Sequence, residues 1–122
     1  MKNLLNKCKY TLQGLGYCFK NESSFLFVTI TACLVIVLGI CFDIAFLEWV
    51  ISFGSLAFIL ITELINTAIE ATVDMITQEY NEYAKIAKDC GSAATGLMSV
   101  LATIVNLIIF VPYFIELFVK WF

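Results

Sequence analysis

Four polar residues between positions 63 and 74 have the types and the spacing that could bind a metal or move a proton. Glu63, Asn66, Glu70 and Asp74 are separated by 3, 4 and 4 residues. On a helix they fall within about 80° of one another and form one face of oxygen ligands, the acidic stripe. Carboxylates on one helix face repel one another, and Mg²⁺ prefers oxygen ligands, taking one or two carboxylates together with substrate phosphates. The stripe therefore indicates a magnesium site. Alternatively, Glu70 and Asp74 are only the solvated end of a helix.

The composition of the chain is that of a membrane protein. Of its 122 residues, 61% are hydrophobic and 14% are charged, whereas soluble domains average about 25% charged residues. A water-soluble fold of this length could not bury so much apolar surface. The formal net charge of −3 argues against a nucleic-acid partner. Five cysteines without a CxxC spacing, and without any histidine, are more typical of small apolar residues than of a zinc site.

Three apolar segments are candidates for membrane spans. Residues 23–42 and 90–115 are uncharged, and each run is long enough for the roughly 20 residues that cross a bilayer. Only 14 residues separate Glu48 from Glu63, and they rise about 21 Å as a helix. The second span must therefore continue past Glu63, which places this acid at the membrane boundary. An acid there is costly and by default indicates function.

These runs predict an all-α integral membrane fold in a single domain, residues 1–122. We expect an amphipathic surface helix at 1–20 and transmembrane helices at about 23–42, 47–70 and 91–118. The surface helix places one apolar and one polar set on opposite sides. The apolar set is Leu4, Cys8, Leu12, Leu15 and Phe19, and the polar set is Lys2, Lys9, Gln13 and Lys20. Such a basic helix suits the headgroup plane of the inner leaflet.

The lysines predict the orientation of the spans. Six of the seven lysines lie before the first span or between the second and third, and only Lys120 lies beyond them. The positive-inside rule then places the N-terminus and the loop at 70–89 in the cytoplasm and the C-terminus outside.

Further polar residues are expected at the same cytoplasmic interface. Lys88 and Asp89 precede the third span, and Glu22 opens the first. Lys88 could extend to a lipid phosphate or bind the phosphate of a nucleotide. This inventory suits phosphoryl transfer to a lipid, with one carboxylate accepting the hydroxyl proton. Because neither GxxxxGK[ST] nor GxGxxG is present, such a kinase would use a different scaffold.

Two segments resemble the prokaryotic diacylglycerol kinase family. The first is ELINTAIEATVD at 63–74, and the second combines EYNE at 79–82 with AKDCGSAA at 87–94. The resemblance covers essentially the whole chain. It implies a small kinase of the bacterial cytoplasmic (inner) membrane that moves the γ-phosphate of MgATP to a lipid hydroxyl. It also implies a homotrimer whose active sites are shared between subunits.

The resemblance further implies a role for individual residues. Glu63 matches the general base that takes the lipid proton, and Asn66 matches a residue that supports the catalytic site. Glu22 and Glu70 match the carboxylates that hold the ATP-bound metal ions. The implied nucleotide contacts are Tyr10, Glu22, Glu70, Glu79, Tyr80, Asn81, Lys88 and Asp89, and the implied lipid contacts are Ser24, Phe25, Glu63 and Ser92.

The family divides by lipid substrate, into diacylglycerol and undecaprenol kinases. YNEY at 80–83 and CGSAA at 90–94 resemble the diacylglycerol branch, and undecaprenol kinase is the alternative. Leu26, Phe27 and Val28 stand where the family usually has an arginine and further polar residues. A non-enzymatic channel subunit or assembly protein is a further alternative, as is an inactive family member. A pore, however, would carry polar groups through the depth of a span, whereas the first span is apolar.

Overall fold

The computed structural model describes residues 2–121, with side chains from residue 3 onward. Met1, Phe122 and the side chain of Lys2, which was predicted on the polar face of the surface helix, lie outside this range. Four α-helices account for the described chain: α1 (Lys2–Asn21), α2 (Ser23–Phe42), α3 (Phe46–Ile76) and α4 (Glu82–Trp121). Of these, α2, α3 and α4 are long and apolar enough to cross a membrane. The predicted all-α, multi-pass membrane architecture is confirmed.

A single residue separates the surface helix from the first membrane helix. Glu22 has an extended backbone, with φ −112° and ψ 107°. Its N–H still donates to the Cys18 carbonyl at 2.9 Å, and its own carbonyl accepts from Leu26 N–H at 3.2 Å. The rings of Phe19 and Phe25 meet edge to face across this elbow, with their centroids 4.9 Å apart. The turn into the membrane is therefore short and held by aromatic packing.

Apart from its last turn, α1 has an apolar face that the chain itself does not cover. Leu4, Leu5 and Leu12 are each about two-thirds exposed, whereas Cys18 near the elbow is buried. An apolar face with no partner in the chain is what a helix lying on a bilayer requires.

The connection between α2 and α3 is a tight turn that ends α2. Asp43 adopts the left-handed conformation, with φ 51° and ψ 49°. The N–H of Asp43 donates to the Ile40 carbonyl, and the N–H of Ile44 donates to the Gly39 carbonyl. This is the Schellman pattern that satisfies the last carbonyls of a helix. The buried Ile44 side chain then directs the chain back into the membrane.

Beyond this turn, α3 and α4 are longer than a bilayer is thick. With 31 and 40 residues, they rise about 46 and 60 Å, against about 30 Å of hydrocarbon. They therefore continue past the predicted spans at 47–70 and 91–118. Helical hydrogen bonds do not depend on the membrane, so the charged turns after Glu70 and before Gly91 stay helical and carry the polar residues out of the bilayer.

The two long helices form the main interface of the bundle, and α2 packs less extensively on α3. The buried apolar core is small and comprises Val28, Val35, Ile44, Leu56, Ile59, Ala102, Ile109 and Phe110. Most other large apolar side chains face outward, as lipid-facing residues do. At the far end of the bundle from the acidic stripe, Glu48 Oε2 accepts hydrogen bonds from Tyr113 Oη at 2.6 Å and from Ala45 N–H at 2.8 Å.

Gly39 provides a test of how closely the tight turn is packed. A Cβ at this position would lie 2.7 and 2.8 Å from two ring carbons of Trp49, so Gly39→Ala must displace the ring or the helix. We expect the free energy of unfolding to fall by about 1–3 kcal/mol, measured by denaturation in mixed micelles.

Gly54→Ala is the matched control for this substitution. A Cβ at Gly54 meets no atom within 4 Å, so the change should be neutral or stabilising by up to about 1 kcal/mol. Equal effects of the two substitutions would contradict the proposed packing of Trp49 on Gly39.

Candidate active site

The acidic stripe lies on the C-terminal half of α3, and its burial decreases along the helix. Glu63 is buried, with 7% of its surface exposed. Asn66 and Glu70 are half-buried, and Asp74 is exposed. This gradient agrees with a stripe that begins inside the bundle and emerges from it. Of the two acids in the alternative interpretation, only Asp74 is exposed as a solvated helix end would be, and Glu70 is half-buried.

Glu63 has a hydroxyl partner on the neighbouring helix. The Oγ of Ser24, in the first turn of α2, donates a hydrogen bond to Glu63 Oε2 at 3.0 Å. The two residues are 39 positions apart in sequence, so the helix bundle alone brings them together. A buried carboxylate that accepts a hydrogen bond from an alcohol can, in the same geometry, accept the proton of an alcohol.

Asn66 links the stripe to α4. Its Nδ2 donates to Glu70 Oε1 at 3.0 Å, while its Oδ1 is buried and makes no hydrogen bond. This oxygen lies against Gly91, where any Cβ would overlap it. A glycine therefore lets α4 approach α3 closely, and its Cα–H groups offer the oxygen a weak contact. The sequence alone predicts no role for Gly91, because its position opposite a polar helix face is visible only in the packed structure.

Lys88 bridges from α4 to the exposed end of the acidic stripe, at Asp74. Its Nζ lies 2.5 Å from Asp74 Oδ1, with the two side chains 38% and 51% exposed. A second ion pair, Lys85 with Asp89 at 3.1 Å, stays within α4. Exposed ion pairs contribute little to stability, typically less than about 1 kcal/mol. Because Asp74 holds the Lys88 amine only weakly, the amine can exchange this carboxylate for another anion.

Beside this ion pair, the α3–α4 hairpin encloses a polar cleft of about 310 Å³. The volume lies at the small end of the range for ligand sites. Five of the eight predicted nucleotide contacts, from the connecting loop and from α4, gather here. The cleft is lined by Glu79, Tyr80, Asn81, Lys88 and Asp89, together with Asp74, Lys85 and several neighbours.

The loop that closes this cleft is shaped by its own hydrogen bonds. Thr77 Oγ1 accepts from Glu79 N–H at 3.1 Å. Asn81 Oδ1 accepts from the N–H groups of Tyr83 and Ala84 at 2.9 and 3.1 Å. Asn81 therefore caps the N-terminus of α4. The sequence predicted only a nucleotide contact for this residue.

The remaining predicted site residues lie apart from this cleft. Tyr10 is exposed on α1, Glu22 is half-buried at the α1–α2 elbow, and Ser92 is exposed on α4. Phe25 is 1% exposed, so the chain itself covers the ring that was predicted to contact lipid. The structure thus brings Ser24, Glu63 and Asn66 into one part of the site and five of the eight nucleotide candidates, those that line the cleft, into another.

The predicted metal ligands, Glu22 and Glu70, do not belong to an enclosed cluster of metal-binding side chains in the described part of the chain. Among residues 3–121, no three acidic, cysteine or histidine side chains converge closely enough to enclose a metal ion. Glu22 makes no capping hydrogen bond to α2, and Glu70 accepts one from Asn66. A set of one or two carboxylates fits Mg²⁺ that also binds substrate phosphates, rather than a metal held by protein alone.

Comparison with known proteins identifies a family. The family model described as prokaryotic diacylglycerol kinase matches residues 9–110. The undecaprenol kinase of Bacillus subtilis (strain 168) is 36% identical over 100 residues, covering 82% of this chain and 81% of that protein.

Diacylglycerol kinases from other bacteria are similar to a comparable degree. That of Haemophilus influenzae is 37% identical over 94 residues, covering 77% of this chain and 80% of its own length. That of Escherichia coli K12 is 33% identical over 101 residues, covering 83% of both chains.

Proposed function

The chain belongs to the prokaryotic diacylglycerol kinase family, and we propose that it is an ATP-dependent lipid kinase that converts diacylglycerol to phosphatidic acid. The relatives named as diacylglycerol and undecaprenol kinases support lipid phosphorylation. The observation that carries the proposal is the buried Glu63 carboxylate, which accepts a hydrogen bond from the Ser24 hydroxyl in the first turn of α2.

Glu63 is the proposed general base. The hydrogen bond from the Ser24 hydroxyl supports this assignment, because it places an alcohol group next to the Glu63 carboxylate on the α2 side. In the reaction, the lipid hydroxyl gives its proton to Glu63, its oxygen bonds to the γ-phosphorus, and the bond to the β-phosphate oxygen breaks to release ADP. Phosphoryl transfer of this kind depends mainly on positioning and electrostatics, and Asn66 supports it by holding the stripe against α4.

The polar cleft of the α3–α4 hairpin is the proposed nucleotide site. Lys88 exchanges Asp74 for a phosphate of ATP and neutralises its charge. Asp89 and the segment 79–81 contact the rest of the nucleotide from the cleft wall. Tyr10 on α1 is a further proposed contact.

Glu22 and Glu70 are the proposed ligands of Mg²⁺ that arrives with ATP. The ion, when bound, neutralises charge on the transferred phosphate. A homotrimer with sites shared between subunits is the proposed assembly, as the resemblance to the family implies. Its proposed location is the bacterial inner membrane with the site in the cytoplasm, where the positive-inside rule places the lysine-rich segments.

Undecaprenol is the alternative substrate, because the relative from Bacillus subtilis is an undecaprenol kinase at 36% identity. Both lipids present one hydroxyl at the interface, so Glu63 would act on either in the same way. Ser24 and Ser92 are the proposed lipid contacts beside this base, with Phe25 supporting them from the covered side of α2.

Purified protein in detergent, given MgATP and either diacylglycerol or undecaprenol, tests the proposal. We expect phosphatidic acid as the radiolabelled product when the γ-phosphate carries the label. Transfer to undecaprenol alone would show that the lipid assignment is wrong. Absence of lipid-dependent transfer with both lipids would show that the kinase proposal is wrong.

Glu63→Gln tests the base, because it keeps the shape and hydrogen-bonding capacity of the side chain but cannot take a proton. We expect kcat to fall by about 10²–10⁴-fold, with nucleotide affinity nearly unchanged in equilibrium binding. Glu116→Gln, an exposed acid at the opposite end of α4, is the matched control and should keep full turnover. If Glu63→Gln instead abolishes nucleotide binding and keeps its turnover in excess ATP, Glu63 is not the base.

A further inference from the structure

A cluster of three polar side chains joins α3 to α4 between the two ends of the bundle. The Asn106 cluster consists of Ser52 and Ser55 on α3 and Asn106 on α4. Asn106 Oδ1 accepts a hydrogen bond from Ser52 Oγ at 2.5 Å. Its Nδ2 donates to Ser55 Oγ at 3.1 Å and to the Ala102 carbonyl at 2.8 Å. The amide thus uses its carbonyl and both of its N–H groups.

This cluster lies deep in the bundle and away from the proposed site. Ser52 is 1% exposed and Ser55 is 8% exposed. They precede Glu63 by 11 and 8 residues, which places them about 16 and 12 Å along α3 and inside the predicted span. Hydrocarbon offers no other partner to these groups, so the bonds between the helices are strongly directional.

The other contacts between the two helices at this depth are apolar. Leu56 and Ile59 on α3 belong to the same core as Ala102, Ile109 and Phe110 on α4. Lipid tails are as apolar as these side chains, so no hydrophobic force drives these contacts together, and hydrogen bonds between the helices add direction to the packing. A slip of one helical turn moves α4 by about 5.4 Å, which would remove Lys88 from Asp74 and Gly91 from Asn66.

The hydrogen bond from Tyr113 to Glu48 also joins these helices, but at the end of the bundle far from the acidic stripe. Pro112 stands between Tyr113 and the Asn106 cluster within α4. A proline removes one helical hydrogen bond and loosens the helix around it. The bond between Tyr113 and Glu48 therefore restrains the part of α4 near the site less tightly. The register near the site depends more on Asn106.

We propose that Asn106 is a positioning residue, whose bonds to Ser52 and Ser55 set the axial register of α4 against α3. In that register Gly91 contacts Asn66 and Lys88 reaches Asp74. The effect on turnover rests on the proposed lipid kinase function, whereas the effect on register does not.

Zero-length cross-linking measures the register without reference to activity. A carbodiimide activates the Asp74 carboxylate, and the Lys88 amine displaces a urea to form an amide only while the two groups are in contact. The Lys85–Asp89 pair lies within α4, so its cross-link is an internal standard that a change of register does not alter. Mass spectrometry of the digested protein gives the ratio of the two products.

Asn106→Leu should lower this ratio at least about threefold, and kcat about tenfold, because both depend on proximity. Thr103→Val is the matched control, since Thr103 Oγ1 bonds only to the Ser99 carbonyl of its own helix, and it should change neither quantity. Ser52→Ala/Ser55→Ala removes the partners without altering α4 and should reproduce the effect. It carries the test if Asn106→Leu does not fold.

The outcomes separate the two proposals. If Asn106→Leu lowers the cross-link ratio but the wild-type protein has no lipid kinase activity, the register proposal is supported and the proposed function is overturned. An unchanged ratio in the folded Asn106→Leu and Ser52→Ala/Ser55→Ala proteins would overturn the register proposal, whatever their turnover. Equal losses in the Thr103→Val control would overturn it as well, because that variant leaves the bonds between the helices intact.

Discussion

The approach of Asn66 to Gly91 is the contact on which the rest of the site depends. Asn66 holds Glu70 through its Nδ2 and places its Oδ1 against the α4 backbone, where a Cβ at position 91 would displace this oxygen. Nearer the loop, about two turns from Asn66 on α3 and one turn from Gly91 on α4, Lys88 pairs with Asp74, and the polar cleft forms beside them. If α4 were held further from α3, the proposed nucleotide site would separate from the proposed base.

The membrane environment explains why such a contact needs additional support. Water drives apolar surfaces together in soluble bundles, but lipid provides no comparable force between helices. The buried apolar core is accordingly small, and the helices are joined by polar bonds at several depths. The bond between Glu48 and Tyr113 joins α3 to α4 at the end of the bundle far from the acidic stripe. The bonds of Asn106 to Ser52 and Ser55 join the same helices near their middle. The bond between Ser24 and Glu63 joins α2 to α3. These bonds turn a loosely attracted set of helices into one defined arrangement.

The elements and the acidic stripe could be predicted from sequence, whereas the partners of the stripe could not. Apolar runs and the spacing of Glu63, Asn66 and Glu70 follow from helical periodicity, which is a local property. The pairing of Ser24 with Glu63 and of Lys88 with Asp74 depends on helix rotation and axial register, and periodicity encodes neither. Asn106 was detectable in part, because an amide within the uncharged run 90–115 is costly, but its partners at 52 and 55 required the packed structure.

We infer that close packing of α4 on α3 at Gly91 assembles the site, and the turnover of two alanine variants measures how far the site depends on it. Gly91→Ala places a methyl group where Asn66 Oδ1 lies, whereas Gly96→Ala, on the same helix, meets no atom within 4 Å. We expect Gly91→Ala to lower lipid-dependent kcat by about 10²-fold, since small misplacements of reacting groups have effects of this size, and Gly96→Ala to retain wild-type turnover. Equal turnover of the two variants would contradict this inference.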